Sequence, residues 1–322
     1  MRTLQALLCI GLAVCALARP AAAADYACGK IKLIVPYGVG GATDIGARAV
    51  ADRLSAALNK TIVIENHAGA TGNIGTLDVV KAPADGCTLL MNATAIATFT
   101  TSFPHLPYDP FKDLVPIGGL GATPNVLVSA ASSPAHGLND LIALAKSRPA
   151  GLTFATSGYG LQQHLVVEQI AQRTGAKFIL VPYKVAATMV EDVVAGRIDF
   201  GSLLAGTTKP LIESHQLRAQ VLVRDARSNL LPDVPTTGEL GYPGLLGSVH
   251  FVLFAPSATP KPIVDLLDAT LRKVVAEPGI GEKFRRIGFE PTPMTSAQIA
   301  GEMVTMRAAF APIIKSLNIH LE

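Results

Sequence analysis

Between Val35 and Arg48 the sequence VPYGVGGATDIGAR carries an apolar strand through a proline and a glycine-rich turn into a helix. Such a turn bares backbone N–H groups at the positive end of a helix dipole, which suits an anion. Two further turns of the same kind follow, at Gly69 to Gly75 and at Ser157 to Gly160, the latter opening a helix with Gln162, Gln163 and His164. Each alone reads more readily as a tight strand-to-helix connection; three in one chain, on opposing lobes, point to an anion site with two opposing walls. Cations are scarce in these turns, and Lys184, two residues beyond Pro182, is the one placed to reach the site. Backbone N–H groups, Thr43, Asn92, Thr94, Ser157 and ordered water could hold a carboxylate instead, each bond contributing about 1 kcal/mol net. Asp44, in the first helical turn, suits the dipole but repels an anion, so it either holds the loop through hydrogen bonds or faces a ligand amine.

Other chemistries fit less well. Gly38, Gly40 and Glu65 imitate a dinucleotide fingerprint, and an exported nucleotide-binding oxidoreductase is the rival reading. The imitation lacks glycine where Thr43 stands, and Pro36 interrupts the approach. Ser157 lies in ATSGYG rather than in a G-x-S-x-G elbow. The histidines beyond the leader, His67, His105, His136, His164, His215, His250 and His320, show no close metal-ligand spacing, and no paired carboxylates stand at acid and base positions. Neither a metal nor a cofactor is expected.

These turns need strands and helices to aim them. Short β-branched runs alternate with amphipathic stretches, the pattern of βαβ units and a parallel sheet. Strands are predicted at 31–35, 61–64 and 88–91, the last leading to a polar loop holding Asn92 and Thr94, with helices at 44–58 and 73–81. A proline-studded connection, 106–117, precedes a strand at 125–128. The same grammar restarts after Pro134, with helices at 138–147, 161–174 and 187–195 and strands at 153–155, 177–181 and 198–203. A proline- and glycine-rich stretch then leads to a strand at 251–255 and helices at 261–276, 281–287 and 296–317, expected to cover the first sheet. The expected division is a leader at 1–24, a first lobe at 25–124, a second lobe at 125–225, and a return to the first at 226–322. A chain that leaves one domain, builds another and returns has two hinge strands and a cleft suited to closing on a small ligand.

The leader is read from Arg2, the apolar run Leu4 to Leu17 and the small residues Ala21 to Ala24 before Asp25, a secretory signal pattern. A lipid anchor on Cys15 is the competing reading, disfavoured by the bulky Val14 before it. No later segment approaches the roughly 20 apolar residues that a bilayer span needs. Loss of Arg2 and Arg19 with the leader reduces 27 basic against 24 acidic residues to 25 against 24, which argues against nucleic acid or an anionic membrane as partner. Cys28 and Cys87 remain for an oxidising compartment, each just ahead of a predicted strand. If those strands are parallel neighbours the two can pair, closing a loop worth roughly 4 kcal/mol; otherwise they are independent buried thiols.

Six stretches together resemble the extracytoplasmic solute receptors of the tripartite tricarboxylate transporters, also called Bug-type receptors. They are VPYGVGGATDIGAR, GATGNIGTLDVVKAPADGCTLL from Gly69, LPYDPFKDLVPI from Leu106, VPYKVAATMVEDVVAGRIDFG from Val181, LPDVPTTGELGYPG from Leu231 and FAPSATPKPIV from Phe254. The resemblance implies the α/β, two-lobed periplasmic binding protein fold of type II, with two doubly wound sheets and two hinge crossovers. It implies a periplasmic, monomeric, non-enzymatic receptor that passes a small organic carboxylate to a two-component membrane permease. Matching positions implicate Tyr37, Gly41, Ala42, Thr43 and Asp44 in the first lobe and Ser157 and Gly158 in the second, with Asn92, Thr94, His164, Lys184 and Ala205 at positions that vary among relatives. The chain departs from the family pattern at Cys87, usually tyrosine, at Val185, usually glycine, and at His250 and Phe251, near a usual tryptophan. The first departure fits a Cys28–Cys87 bridge.

Overall fold

The first elements alternate as their residue types dictate: β1 (Lys30–Val35), α1 (Ala42–Leu58), β2 (Thr61–Asn66), α2 (Asn73–Val80) and β3 (Thr88–Ala93). The computed structural model describes residues 26–183 and 186–321; the leader with Cys15, and Lys184 with Val185, lie outside the described residues. β1 pairs in parallel with β2 on one side and β3 on the other. Cys28 and Cys87 therefore stand at the same end of neighbouring parallel strands, and they form a disulfide with a Cα–Cα distance of 5.5 Å. The bridge joins residues 59 apart, a closure worth about 4 kcal/mol in the chain-entropy account.

After β3 the chain differs from expectation. In place of a polar loop, Thr94–Thr98 form a 3-10 turn leading into α3 (Phe99–Ser102), with Thr94, Ile96, Ala97 and Thr98 all buried. β4 then runs over Leu114–Ala130, far longer than the strand expected at 125–128 and absorbing the end of the presumed connection. Its first part pairs antiparallel with β9 (Ser248–Pro256) as far as Pro124, and from Asn125 it pairs with β7 (Phe200–Leu204) and β8 (Leu217–Leu222). The strand thus passes from one sheet into the next between Pro124 and Asn125. Gly119 and Gly121 allow the passage to be covered closely: a Cβ there would lie 2.9 Å from the Thr292 carbonyl and 2.8 Å from that of Glu290, respectively.

The second sheet adds α4 (Leu138–Ser147), β5 (Leu152–Thr156), α5 (Gln162–Thr174), β6 (Phe178–Pro182), α6 (Ala186–Val194) and α7 (Ala205–Glu213). β5 pairs in parallel with both β6 and β7. Following β8, Leu230, Leu231 and Val234 still pack against this sheet, and β9 carries the chain back. β9 runs antiparallel between β3 and β4, so the strand order is β2-β1-β3-β9-β4-β7-β5-β6.

α8 (Lys261–Val275), α9 (Pro278–Arg286) and the short β10 (Glu290–Pro291) follow, with Leu267, Leu271 and Phe284 in the core of the first sheet. The last helix, α10 (Ser296–Ser316), starts at a capping box in which the Thr295 hydroxyl accepts from the Gln298 N–H and the Gln298 side chain accepts from the Thr295 N–H. α10 does not cover the first sheet alone. Ile299 and Met303 pack with Leu90 and Phe254 there, while Met306, Phe310, Ile313 and Ile314 belong to the second core with Phe154 and Phe200. No helix among the described residues is long and apolar enough to cross a membrane.

Candidate functional site

β1 delivers the first glycine-rich turn at its carboxyl end, ahead of α1. Gly40 adopts φ +81°, open to glycine at no steric cost, and Gly41 is the helix cap in extended conformation. No side chain caps α1, leaving its first N–H groups, at Ala42 and Thr43, to other acceptors. Asp44 is buried and both of its oxygens are engaged inside the protein. It accepts from the Gly40 N–H at 3.0 Å, from Asn66 Nδ2 at 3.0 Å and from Arg48 Nε at 2.9 Å. The Arg48 bonds, helped by those from Gly40 and Asn66, outweigh burial and hold its carboxyl at about 2. Of the two roles open to Asp44 from sequence, loop-holding is the one its contacts express.

Tyr37 stands behind this turn, half-buried, its hydroxyl pushed up to about 12 by burial and so a proton donor at neutral pH. That hydroxyl donates to Asn92 Oδ1 at 3.3 Å. Gly72, at φ +92°, lets the ring approach, since a Cβ there would lie 3.0 Å from Tyr37 Cζ. Asn92 and Thr94 are buried supports rather than lining residues. Asn92 Nδ2 donates to Thr76 Oγ1 at 3.3 Å; Thr94 Oγ1 donates to Glu302 Oε1 at 2.8 Å, and His250 Nδ1 lies 2.7 Å from the same oxygen.

In the second lobe Ser157 is exposed and Gly158 half-buried at the end of β5. His164 does not reach the gap: it is 2% exposed, stacks on Tyr159, and its Nδ1 accepts from the Gly160 N–H at 3.0 Å. It pins the Ser157–Gly160 turn from beneath. Ala205 is likewise buried, while its neighbours Leu204 and Gly206 are half-buried and Thr207 is exposed at the start of α7. Lys184 lies outside the described residues.

The first turn and the α7 start enclose a cavity of about 230 Å³, with Gly40, Ala42 and Ile45 on one side and Leu204, Gly206 and Thr207 on the other. Thr123 at the β4 crossover and Ile287 and Phe289 after α9 close it. The lobes touch backbone to backbone beside it: a Cβ on Gly206 would lie 2.8 Å from the Gly288 carbonyl oxygen. A larger groove of about 680 Å³ is lined by Ile74, Leu77, Phe103 and His105 beside the Gly69–Gly75 turn and by Leu321, which packs near Gly160 of the second lobe's turn. Ile45, Thr123, Ile287 and Phe289 were invisible as site residues in the sequence, except that Ile45 sits one turn beyond Ala42 on the same helix face. Among the described residues one cluster has metal-ligand composition, Cys28, Asp85 and Cys87, and its two sulfurs are bonded to each other.

Residues 46–319 match the model of the family described as the tripartite tricarboxylate transporter family receptor. The chain belongs to that family. It is 33% identical to the protein BugT of Bordetella pertussis over 100% of this chain and 99% of the relative. Among solved structures, an R. palustris protein with adipate is 32% identical, with a TM-score of 0.78 over 90% of this chain and 98% of that one. A TctC solute binding protein from Polaromonas without ligand is 25% identical, with a TM-score of 0.79 over 89% and 98%. These likenesses establish the two-lobed, type II periplasmic binding protein fold and a solute receptor of the Bug type.

Proposed function

We propose that this receptor works in the periplasm without catalysing a reaction, capturing a small organic carboxylate between its lobes for a two-component membrane permease of the tripartite tricarboxylate type. The observation that carries the reading is the α1 turn. Asp44, itself paired with Arg48, accepts from the Gly40 N–H, and the first N–H groups of α1, at Ala42 and Thr43, have no side-chain cap, which supports an anion held by backbone donors. Ser157 and Gly158, held by His164, offer the opposing wall. The relative solved with adipate supports a carboxylate as ligand. Tyr37, Gly41, Ala42 and Thr43 belong to the first wall in this reading; Asn92, Thr94 and His164 keep the walls in shape, and Lys184 is retained as a candidate of the second lobe.

The lobe division at 25–124, 125–225 and 226–322 belongs to the same reading, and the change of partners along β4 between Pro124 and Asn125 supports its first crossing. A leader cleaved after residue 24 and a monomeric state complete it.

A thermal-shift screen of protein unfolded and refolded to strip copurified ligand tests the reading, with aliphatic, aromatic and amino-bearing carboxylates beside NAD and NADP. A rise with one carboxylate class that follows mass action is expected. A rise with the dinucleotides alone supports the oxidoreductase rival instead. Ser157→Trp, at an exposed position, should abolish the shift while leaving the melting temperature of the ligand-free protein unchanged; undiminished affinity refutes the second wall.

A further inference from the structure

The cavity between the α1 turn and the start of α7 has a composition that narrows what can enter it. Its volume of about 230 Å³ exceeds the roughly 150 Å³ of an apolar cavity that takes up benzene. None of its lining residues carries a charge. Its two hydroxyls already have protein partners: Thr123 Oγ1 accepts from the Gly206 N–H at 3.3 Å, and Thr207 Oγ1 donates to the Leu204 carbonyl at 2.9 Å. The aromatic wall is fixed, since Phe289 stacks on Phe251 at 4.6 Å and meets the edge of Phe284 at 6.0 Å. On the opposite wall Ile45 is 37% exposed and Val39, on the same turn, 75% exposed, an apolar surface that the free protein leaves uncovered.

The geometry points to a monocarboxylate with a compact apolar body, aromatic or alicyclic, whose carboxylate sits on the α1 turn and whose ring fills this cavity. The inference rests on the receptor reading above and refines its substrate class. The first carboxylate meets backbone donors at Ala42 and Thr43. A second carboxylate, carried into the cavity by a dicarboxylic acid, would lose its water and find no cation, with the Thr123 O–H as the one hydroxyl proton not already given to the protein, a burial that charged groups tolerate poorly. A ring loses only contact with water there and gains contact with Ile45, Leu204, Ile287 and Phe289. The discrimination is therefore built from the absence of a cation for the second charge rather than from an added contact for the ring.

Calorimetric titration of the purified, ligand-stripped protein with benzoate, cyclohexanecarboxylate, adipate and benzamide tests it. Benzoate and cyclohexanecarboxylate should bind at least about tenfold more tightly than adipate, and benzamide at least about tenfold more weakly than benzoate. Ile45→Arg, at a partly exposed position, places a cation in the cavity mouth; it should weaken benzoate by about tenfold or more and narrow or reverse the preference over adipate. Leu266→Arg, at an exposed position on α8 outside the cavity, serves as the folded control and should keep the wild-type preference. Adipate binding as tightly as benzoate overturns the apolar cavity while leaving a carboxylate receptor standing. Benzamide binding as tightly as benzoate overturns both, and failure of both ring acids to bind at millimolar concentration overturns the substrate class.

Discussion

Asp44→Asn keeps the side chain's shape and removes its charge, which isolates what the carboxylate does for the first turn. The shift from 3.8 in the unfolded chain to about 2 in the folded one corresponds to roughly 2.5 kcal/mol at about 1.4 kcal/mol per pH unit. Arg48 is half exposed and its share is screened, so about 2 kcal/mol is the working figure. Because the folded-state value lies below the unfolded one, this stabilisation is complete above about pH 5, begins to fade as the pH falls through 3.8, and is about half gone near pH 3. Urea melts of wild type and variant at low salt should therefore differ by about 2 kcal/mol at pH 7 and by about 1 kcal/mol at pH 3. A difference below about 0.5 kcal/mol at pH 7, or one of equal size at both pH values, refutes the account of the turn as pinned by an ionised Asp44.

The remaining predictions concern the scaffold. Replacing Cys28 and Cys87 by serine should cost about 4 kcal/mol in urea melts, and reductant should impose the same loss on wild type and none on the variant. His164→Phe keeps an aromatic ring beneath Tyr159 but leaves the Gly160 N–H without its acceptor; about 1–3 kcal/mol and faster hydrogen exchange at Gly160 are expected, and unchanged exchange would contradict the role given to Nδ1. Phe310→Ala removes a fully buried ring at a cost of about 3–5 kcal/mol in thermal or urea unfolding, and a loss under about 1 kcal/mol would show that α10 does not seal the second core.

Much of this architecture is legible in the sequence because local pattern and tertiary role agree there. The β1–α1–β2 unit shows alternating β-branched and amphipathic stretches, and the cysteines pair because the parallel register of β1 and β3 sets them side by side. The first half of β4 is hidden for the opposite reason. Pro116, Gly118, Gly119 and Gly121 read as loop, yet the glycines are there so that the segment around Thr292 and Met294 can lie on the strand. α7, with Pro210 inside it, and the short β8 gave no periodic signal long enough to separate from loop. At the site, the glycine turns announce themselves, whereas the assignment of Asn92, Thr94 and His164 to supporting roles depends on bonds such as Thr94 to Glu302, 208 residues apart, which no local pattern encodes.

The shared last helix makes the two lobes inseparable as building blocks. The strands of the second sheet lie between Leu152 and Leu222 apart from the end of β4, but Met306, Phe310, Ile313 and Ile314, which complete its core, come from the far end of the chain. A chain ending before Ser296 would have every strand of both sheets and neither finished interior, since Ile299 and Met303 are lost from one as the other four are lost from the second. Assembly is therefore completed last to first in sequence: the final turns of α10 must arrive before residues laid down some 150 positions earlier can be sealed from water. A cut or a graft between the lobes separates the last helix from residues it covers in one core or the other, so this receptor can be re-engineered at its turns but not divided at its hinge.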